Sequence, residues 1–261
     1  MQSKYLFLFV LPFLAVSCSS STTNTTTETA TEESADDMTN TGEPMLEGNG
    51  EWTDLMPDGD LSAWHSYKQD EAGSAWKIDE DGAVYLDTSK KGEHGVEGGG
   101  DLVTDDSYSD YELELEWKIG DCGNSGIIYN VNEEDTQSAS YMTGPEMQIV
   151  DNSCHPDAEI PKHRAGDLYD MVSSSTETVK PAGEWNKVRL LVTDGRVEQW
   201  LNGEMVVAYN NNGPEWEEMI DNSKFKDWNS FGTYTSGKIA LQDHGDPVWF
   251  RNVRIRDLSS K

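Results

Sequence analysis

Positive charge is scarce in this 261-residue chain: 19 Lys and Arg face 49 Asp and Glu, for a formal net charge of −30. So acidic a surface repels phosphates instead of releasing their counterions, which excludes nucleic acid as a partner. The chain also lacks a G-x-S-x-G elbow, a G-x-x-x-x-G-K-[ST] loop, an H-E-x-x-H pair and a paired C-x-x-C. The commonest nucleophile, nucleotide and zinc devices are therefore missing. The Gly98-Gly99-Gly100 run has no strand–turn–helix setting and reads as a loop, not a phosphate cradle. Cysteine is limited to Cys18, Cys122 and Cys154. Aromatic residues are not short: nine Trp, ten Tyr and six Phe are enough for a core, so disorder throughout is excluded.

The apolar run from Tyr5 to Val16 follows one Lys and is too short to cross a bilayer with its flanks intact. Residues 1–17 have the layout of a secretory signal. Their end, Leu14-Ala15-Val16-Ser17-Cys18, resembles the lipobox of bacterial lipoproteins, which implies cleavage before Cys18 and lipidation there. One acyl chain holds only weakly to a membrane, so a second on the freed amine would matter. Residues 18–50 read as a tether: Ser/Thr-rich and acidic, with no Lys, Arg or aromatic residue, they cannot bury enough surface to fold. Residues 51–261 remain as the folded domain. With Cys18 lipidated, Cys122 and Cys154 are expected to pair in an oxidising compartment, two free thiols being the alternative.

In this body the dominant signal is alternation with a period of two. Tyr111, Leu113, Leu115, Trp117 and Ile119 share one face, while Glu112, Glu114, Glu116 and Lys118 take the other, which reads as solvated. Residues 188–192, 197–201, 204–209, 238–242 and 248–255 are further strand candidates. Asn202-Gly203, Asp194-Gly195 and Asp81-Gly82 are hairpin signals, because a type I′ turn needs positive φ at both central residues. Helical spacing is confined to Pro214–Trp228. The pattern predicts an all-β fold: a two-sheet antiparallel jelly-roll sandwich with one short helix.

Chemistry concentrates in two segments. As a strand, residues 144–152 put Glu146 and Gln148 on one face and Met147 and Ile149 on the other, with Asp151 entering a turn. Glycosidases on sandwiches flank a sugar bond with two carboxylates, and here the second position is an amide. Gln242 and His244 share a face at a strand end, where loops build sites and a His can move a proton or bind a metal. His163 lies in a donor-rich loop and is a weaker candidate; His65, His94 and His155 read as surface residues. Trp64, Trp76, Trp185, Trp200 and Trp249 read mostly as core, although one Trp at a site rim would suit stacking on a sugar.

Over Trp52–Leu258 the chain resembles the 3-keto-disaccharide hydrolase family, frequent in Bacteroidetes lipoproteins and built on a concanavalin A-like sandwich. The resemblance rests on residues 123–128 (GNSGII), 144–151 (GPEMQIVD), 166–169 (GDLY) and 181–186 (PAGEWN), then on 200–203 (WLNG), 239–245 (IALQDHG) and 250–253 (FRNV). The sequence departs from many members at Asn130 and Ala165. The resemblance implies hydrolysis of glycosides already oxidised at C3, in the cell envelope of a Gram-negative bacterium. A C3 ketone acidifies the C2 proton, so a base can start an elimination that water then completes, and no carboxylate nucleophile is needed. By this analogy Glu146 or Asp151 is the base, and His244 is the acid or a metal ligand. Asn124, Gln148, Tyr169, Gln242 and Arg251 would bind the carbohydrate. A divalent metal ion held by Glu146, Asp151 and His244 would polarise the keto oxygen. Fold alone leaves open a non-catalytic carbohydrate-binding module and a conventional glycosidase.

Overall fold

The computed structural model describes residues 50–92 and 95–259. The expected export segment, Cys18, the tether up to residue 49 and His94 lie outside the described residues. In chain order the strands begin with β1 (Trp52–Asp54), β2 (Trp64–Ser66), β3 (Trp76–Ile78), β4 (Val84–Leu86), β5 (Lys91–Gly92), β6 (Gly95–Val96) and β7 (Leu102–Thr104). Longer strands follow: β8 (Tyr111–Ile119), β9 (Asn124–Val131), β10 (Glu146–Val150), β11 (Asn186–Thr193), β12 (Arg196–Leu201) and β13 (Glu204–Asn210). Helix α1 (Gly213–Asp221) precedes β14 (Lys238–Leu241) and β15 (Val248–Asp257).

Two antiparallel sheets form the expected sandwich. The larger runs β13-β12-β11-β8-β15-β4-β3 with β1 added on β15, and the smaller runs β10-β9-β14-β7-β2. Alternation along β8 explains the core: Tyr111, Leu113, Leu115, Trp117 and Ile119 are all buried and meet Ile127, Tyr129, Met147 and Ile149 of the smaller sheet. The opposite face of β8 is less bare than its sequence suggests. Glu112 pairs with Arg189 and Arg256, Glu114 with Arg254, and Glu116 with Arg251, each from a strand hydrogen-bonded to β8. Trp185, Trp200 and Trp249 lie half-buried on this side, under Lys118, Arg251 and Arg189. Trp64 and Trp76 are in the core.

The turns follow the backbone rule with one exception. Asn202 and Gly203 have φ of 53° and 92°, and Asp194 and Gly195 have 50° and 77°. At Asp81-Gly82 only the glycine is left-handed, because the Asp79 carboxylate accepts bonds from the Asp81 and Ala83 amides and closes a different turn. The helix is shorter than its spacing implies. It stops at Asp221, where the Asn222 side chain bonds back to the Glu218 carbonyl, and the rest of the apolar pattern is spent on a loop. In that loop Phe225 stacks on Phe231 at 3.9 Å. Cys122 and Cys154 form a disulfide with Cα atoms 5.1 Å apart. His65 is buried between Asp105 and Glu133, not on the surface, because two carboxylates satisfy both ring nitrogens.

Candidate active site

The outward face of the smaller sheet carries the cleft. Along β10, Met147 and Ile149 enter the core, so Glu146 and Gln148 point the other way. Gln148 pairs with Gly126 of β9, and the chain leaving β14 continues the row, with the Gln242 amide bonding the Gly126 carbonyl at 2.9 Å. Asn124 begins β9 beside them. These side chains floor a cleft of about 260 Å³.

Its walls come from loops. Residues 166–169 run along the free edge of β10: the Gly166 amide bonds the Gln148 carbonyl and the Tyr169 amide bonds the Glu146 carbonyl. This places Tyr169 at the cleft. The loop after α1 supplies Lys224, Phe225 and Trp228; Tyr141 faces Trp228 with ring centroids 5.9 Å apart, and His244 closes the rim. Behind the floor, Asp157 accepts bonds from the Asn124 amide and the Tyr169 hydroxyl, both at 3.4 Å. This aspartate follows the disulfide-bonded Cys154 by three residues, in a short turn begun by Pro156. The other amide atom of Asn124, Oδ1, is buried and unpartnered.

Glu146 is the one carboxylate in the lining. Its side chain accepts no protein hydrogen bond among the described residues, and burial pushes its carboxyl up to about 8, against the opposing pull of Lys224. Desolvation likewise lowers Lys224 and lowers His244 from its ordinary value, which favours the neutral imidazole. Burial, then Asp157 and Glu146, raise the Tyr169 phenol.

Six of the eight expected site residues therefore converge: Glu146, Gln148, Asn124, Tyr169, Gln242 and His244. The other two do not. Asp151 is buried outside the lining, where its carboxylate accepts bonds from the Cys122 amide, the Ser153 amide and the Ser153 hydroxyl. Arg251 lies on the outer face of the larger sheet, bonded to Glu116 at 2.6 Å and packed on Trp185. Since Asp151 turns away, the expected trio of metal ligands does not assemble. Among the described residues the side chains close enough to share an ion are Cys122, Asp151 and Cys154, and the two sulfurs are bonded to each other. His163 bonds Asp170 and packs on the Tyr169 ring, so it supports the wall from behind. His155 is no bare surface residue either: it starts the turn that carries Asp157, and its ring lies 6.4 Å from that of His244. Asn130 is buried and Ala165 is in the core; neither lines the cleft.

Sequence reading missed Lys224, Trp228, Phe225, Tyr141 and Asp157. The first three sat inside what looked like a helix, and the only warning was Asn222-Ser223, a pair that favours helix ends.

The sequence profile of the 3-keto-alpha-glucoside-1,2-lyase-like domain matches residues 51–256. A Bacteroides thetaiotaomicron protein named 3-keto-disaccharide hydrolase is 37% identical over 219 residues, 76% of this chain and 75% of its own length. Among solved structures, a glycosyl hydrolase of Parabacteroides distasonis superposes with a TM-score of 0.70 at 32% identity, covering 81% of this chain and 95% of that one. A second from the same organism gives 0.57 at 25% identity over 79% and 99%.

Proposed function

The chain belongs to the 3-keto-alpha-glucoside-1,2-lyase-like family and is an enzyme of glycosyl hydrolase type; from that premise we propose that it hydrolyses 3-keto-glycosides, 3-keto-disaccharides among them, by elimination and hydration. The observation that carries this reading is the single buried carboxylate in an amide-lined cleft. A conventional glycosidase needs two carboxylates flanking the bond, whereas an elimination needs one base.

In this mechanism ionised Glu146 takes the C2 proton, and the C–H electron pair moves into an enolate at C3. As the ketone re-forms, C1=C2 is made and the C1–O bond breaks. The departing oxygen takes a proton, with the Tyr169 hydroxyl as the neutral donor on that wall. Water then adds at C1 and gives a proton to neutral His244, and the Glu146 carboxyl returns its proton to C2 to yield the free 3-keto sugar. The proton on His244 passes through solvent to the Tyr169 phenolate, so each group regains its starting state. Asn124, Gln148 and Gln242 hold hydroxyl groups.

The test is turnover of 3-keto-trehalose beside plain trehalose, by wild type and Glu146→Gln. Cleavage of the keto sugar alone, lost in the variant, is expected. Cleavage of plain trehalose would overturn the elimination, and saturable binding without turnover would make this a binding module. The protein is also proposed to be held in the cell envelope through lipid on Cys18. Metabolic labelling with a radioactive fatty acid, lost in Cys18→Ser, is the expected result; unlabelled wild-type protein would refute it.

A further inference from the structure

We propose that the Lys224 ammonium holds the C3 oxygen while it becomes an enolate, which makes Lys224 a second catalytic residue of the elimination proposed above, on which the inference rests.

Proton transfer from C2 neutralises Glu146 and moves its negative charge to the C3 oxygen. The Lys224 ammonium feels the Glu146 carboxylate but makes no ion pair with it. A C3 oxygen in direct contact with the ammonium therefore gains more attraction after the charge has moved than Glu146 had before, and the enolate is favoured. Lys224 is the cationic side chain in the lining: burial favours the neutral form of His244, and Asn124, Gln148 and Gln242 are amides.

Lys224 also differs from the other lysines that stand near acids. Lys91 is paired with Asp246, Lys187 with Glu114, and Lys238 with Glu133. The Lys224 ammonium makes no ion pair among the described residues, in a chain with a net charge of −30. It lies 3.9 Å from the centre of the Tyr169 ring and 5.2 Å from that of Phe225. Two aromatic faces steer it without quenching its charge.

The backbone beneath it is fixed. The Lys224 amide donates to Oδ2 of Asp170 at 2.6 Å, and Oδ1 of the same carboxylate bonds His163 at 3.0 Å. His163 in turn packs on Tyr169 at 4.3 Å. One aspartate therefore locks the lysine and the ring that steers it into a single wall. The electrostatics agree: Glu146 pulls the Lys224 pKa upward against burial, and Lys224 pulls that of Glu146 downward.

A 3-keto sugar without a leaving group, 1,5-anhydro-3-keto-glucitol, isolates this step. In deuterated water, full-length enzyme should exchange its C2 proton, followed by NMR against the uncatalysed rate. Glu146→Gln should stop the exchange. Lys224→Met should slow it about 100-fold on the high-pH plateau, where Glu146 is ionised in both proteins. Lys224→Arg should recover part of the rate. The Lys224 side chain reaches solvent at the cleft mouth, with only its ammonium partly desolvated and without an ion pair among the described residues. These variants should therefore fold, and their thermal midpoints check this. Wild-type exchange in Lys224→Met overturns the inference while leaving the elimination intact. Normal exchange with lost cleavage of 3-keto-trehalose would make Lys224 the proton donor to the leaving oxygen, which also overturns it. No exchange by the wild type would bring down the elimination reading itself.

Discussion

A Cβ on Gly126 would lie 2.1 Å from Oε1 of Glu146: the missing side chain on β9 is the space in which the carboxylate from β10 lies. This glycine is needed for room and not for backbone freedom, since its φ is not left-handed. Gly126→Ala must push Glu146 out of the cleft floor. The expected result is a loss of about 100-fold in kcat/KM on a 3-keto-disaccharide, with a stability change of about 1–3 kcal/mol. Steady-state kinetics beside thermal melts check it. Undiminished activity would mean that Glu146 does not act from this position.

The raised carboxyl of Glu146 makes a pH prediction with a definite sign. With a folded value of about 8 and an ordinary value of 4.5, only the minor ionised form acts as base at neutral pH. Activity should climb about tenfold per unit toward pH 8 and then level. Stability runs the other way. A carboxyl that binds its proton more tightly when folded helps the fold below pH 4.5, and that help is lost as pH rises to about 8. At pH 7 the loss is on the order of 3 kcal/mol, so Glu146→Gln should be more stable than wild type there and lose the advantage near pH 4. Urea titrations at the two pH values decide this.

The fold was legible because alternation is local. Tyr111 through Ile119 declare their two faces without help from the rest of the chain, and Asn202-Gly203 declares its turn. Glu146, Gln148 and Gln242 were readable for the same reason: period two fixes the face on which a strand residue stands. Lys224 and Trp228 were not, because their apolar neighbours Phe225 and Phe231 stack with each other in a loop instead of continuing α1. Asp157 reaches Asn124 and Tyr169 across 33 and 12 positions, contacts that no local pattern encodes. Arg251 was misplaced because a strand residue's face does not say which sheet it belongs to.

Trp228 and Tyr141 stand face to tilted face at the mouth of the cleft, half-buried and 41% exposed respectively. Such a pair suits stacking on the apolar face of the sugar that leaves. Tyr141→Ala and Trp228→Ala should each raise KM, the latter about tenfold, with kcat changed less than about threefold. A larger fall in kcat in the Trp228 variant alone would show that its packing on Phe225, at 5.1 Å, positions Lys224 as well. Unchanged KM in both would move the leaving sugar elsewhere.

Asp151 offers the opposite outcome from Glu146 although both were candidate bases. Its buried carboxylate accepts three bonds from the loop it closes, at 2.9 Å from the Cys122 amide, 2.9 Å from the Ser153 amide and 2.7 Å from the Ser153 hydroxyl. Burial alone would raise its pKa, but these donors outweigh it and leave the carboxyl below its ordinary 3.8. The group therefore stabilises the fold above pH 3.8, and the contribution disappears as acid titrates it below that value. Asp151→Asn should lower stability at pH 7 by about 1–3 kcal/mol, and the gap to wild type should narrow in strong acid. Because Asp151 does not line the cleft, kcat should stay within about threefold. A collapse of kcat without a loss of stability would return Asp151 to the catalytic machinery and remove the physical reason for assigning the base to Glu146 alone.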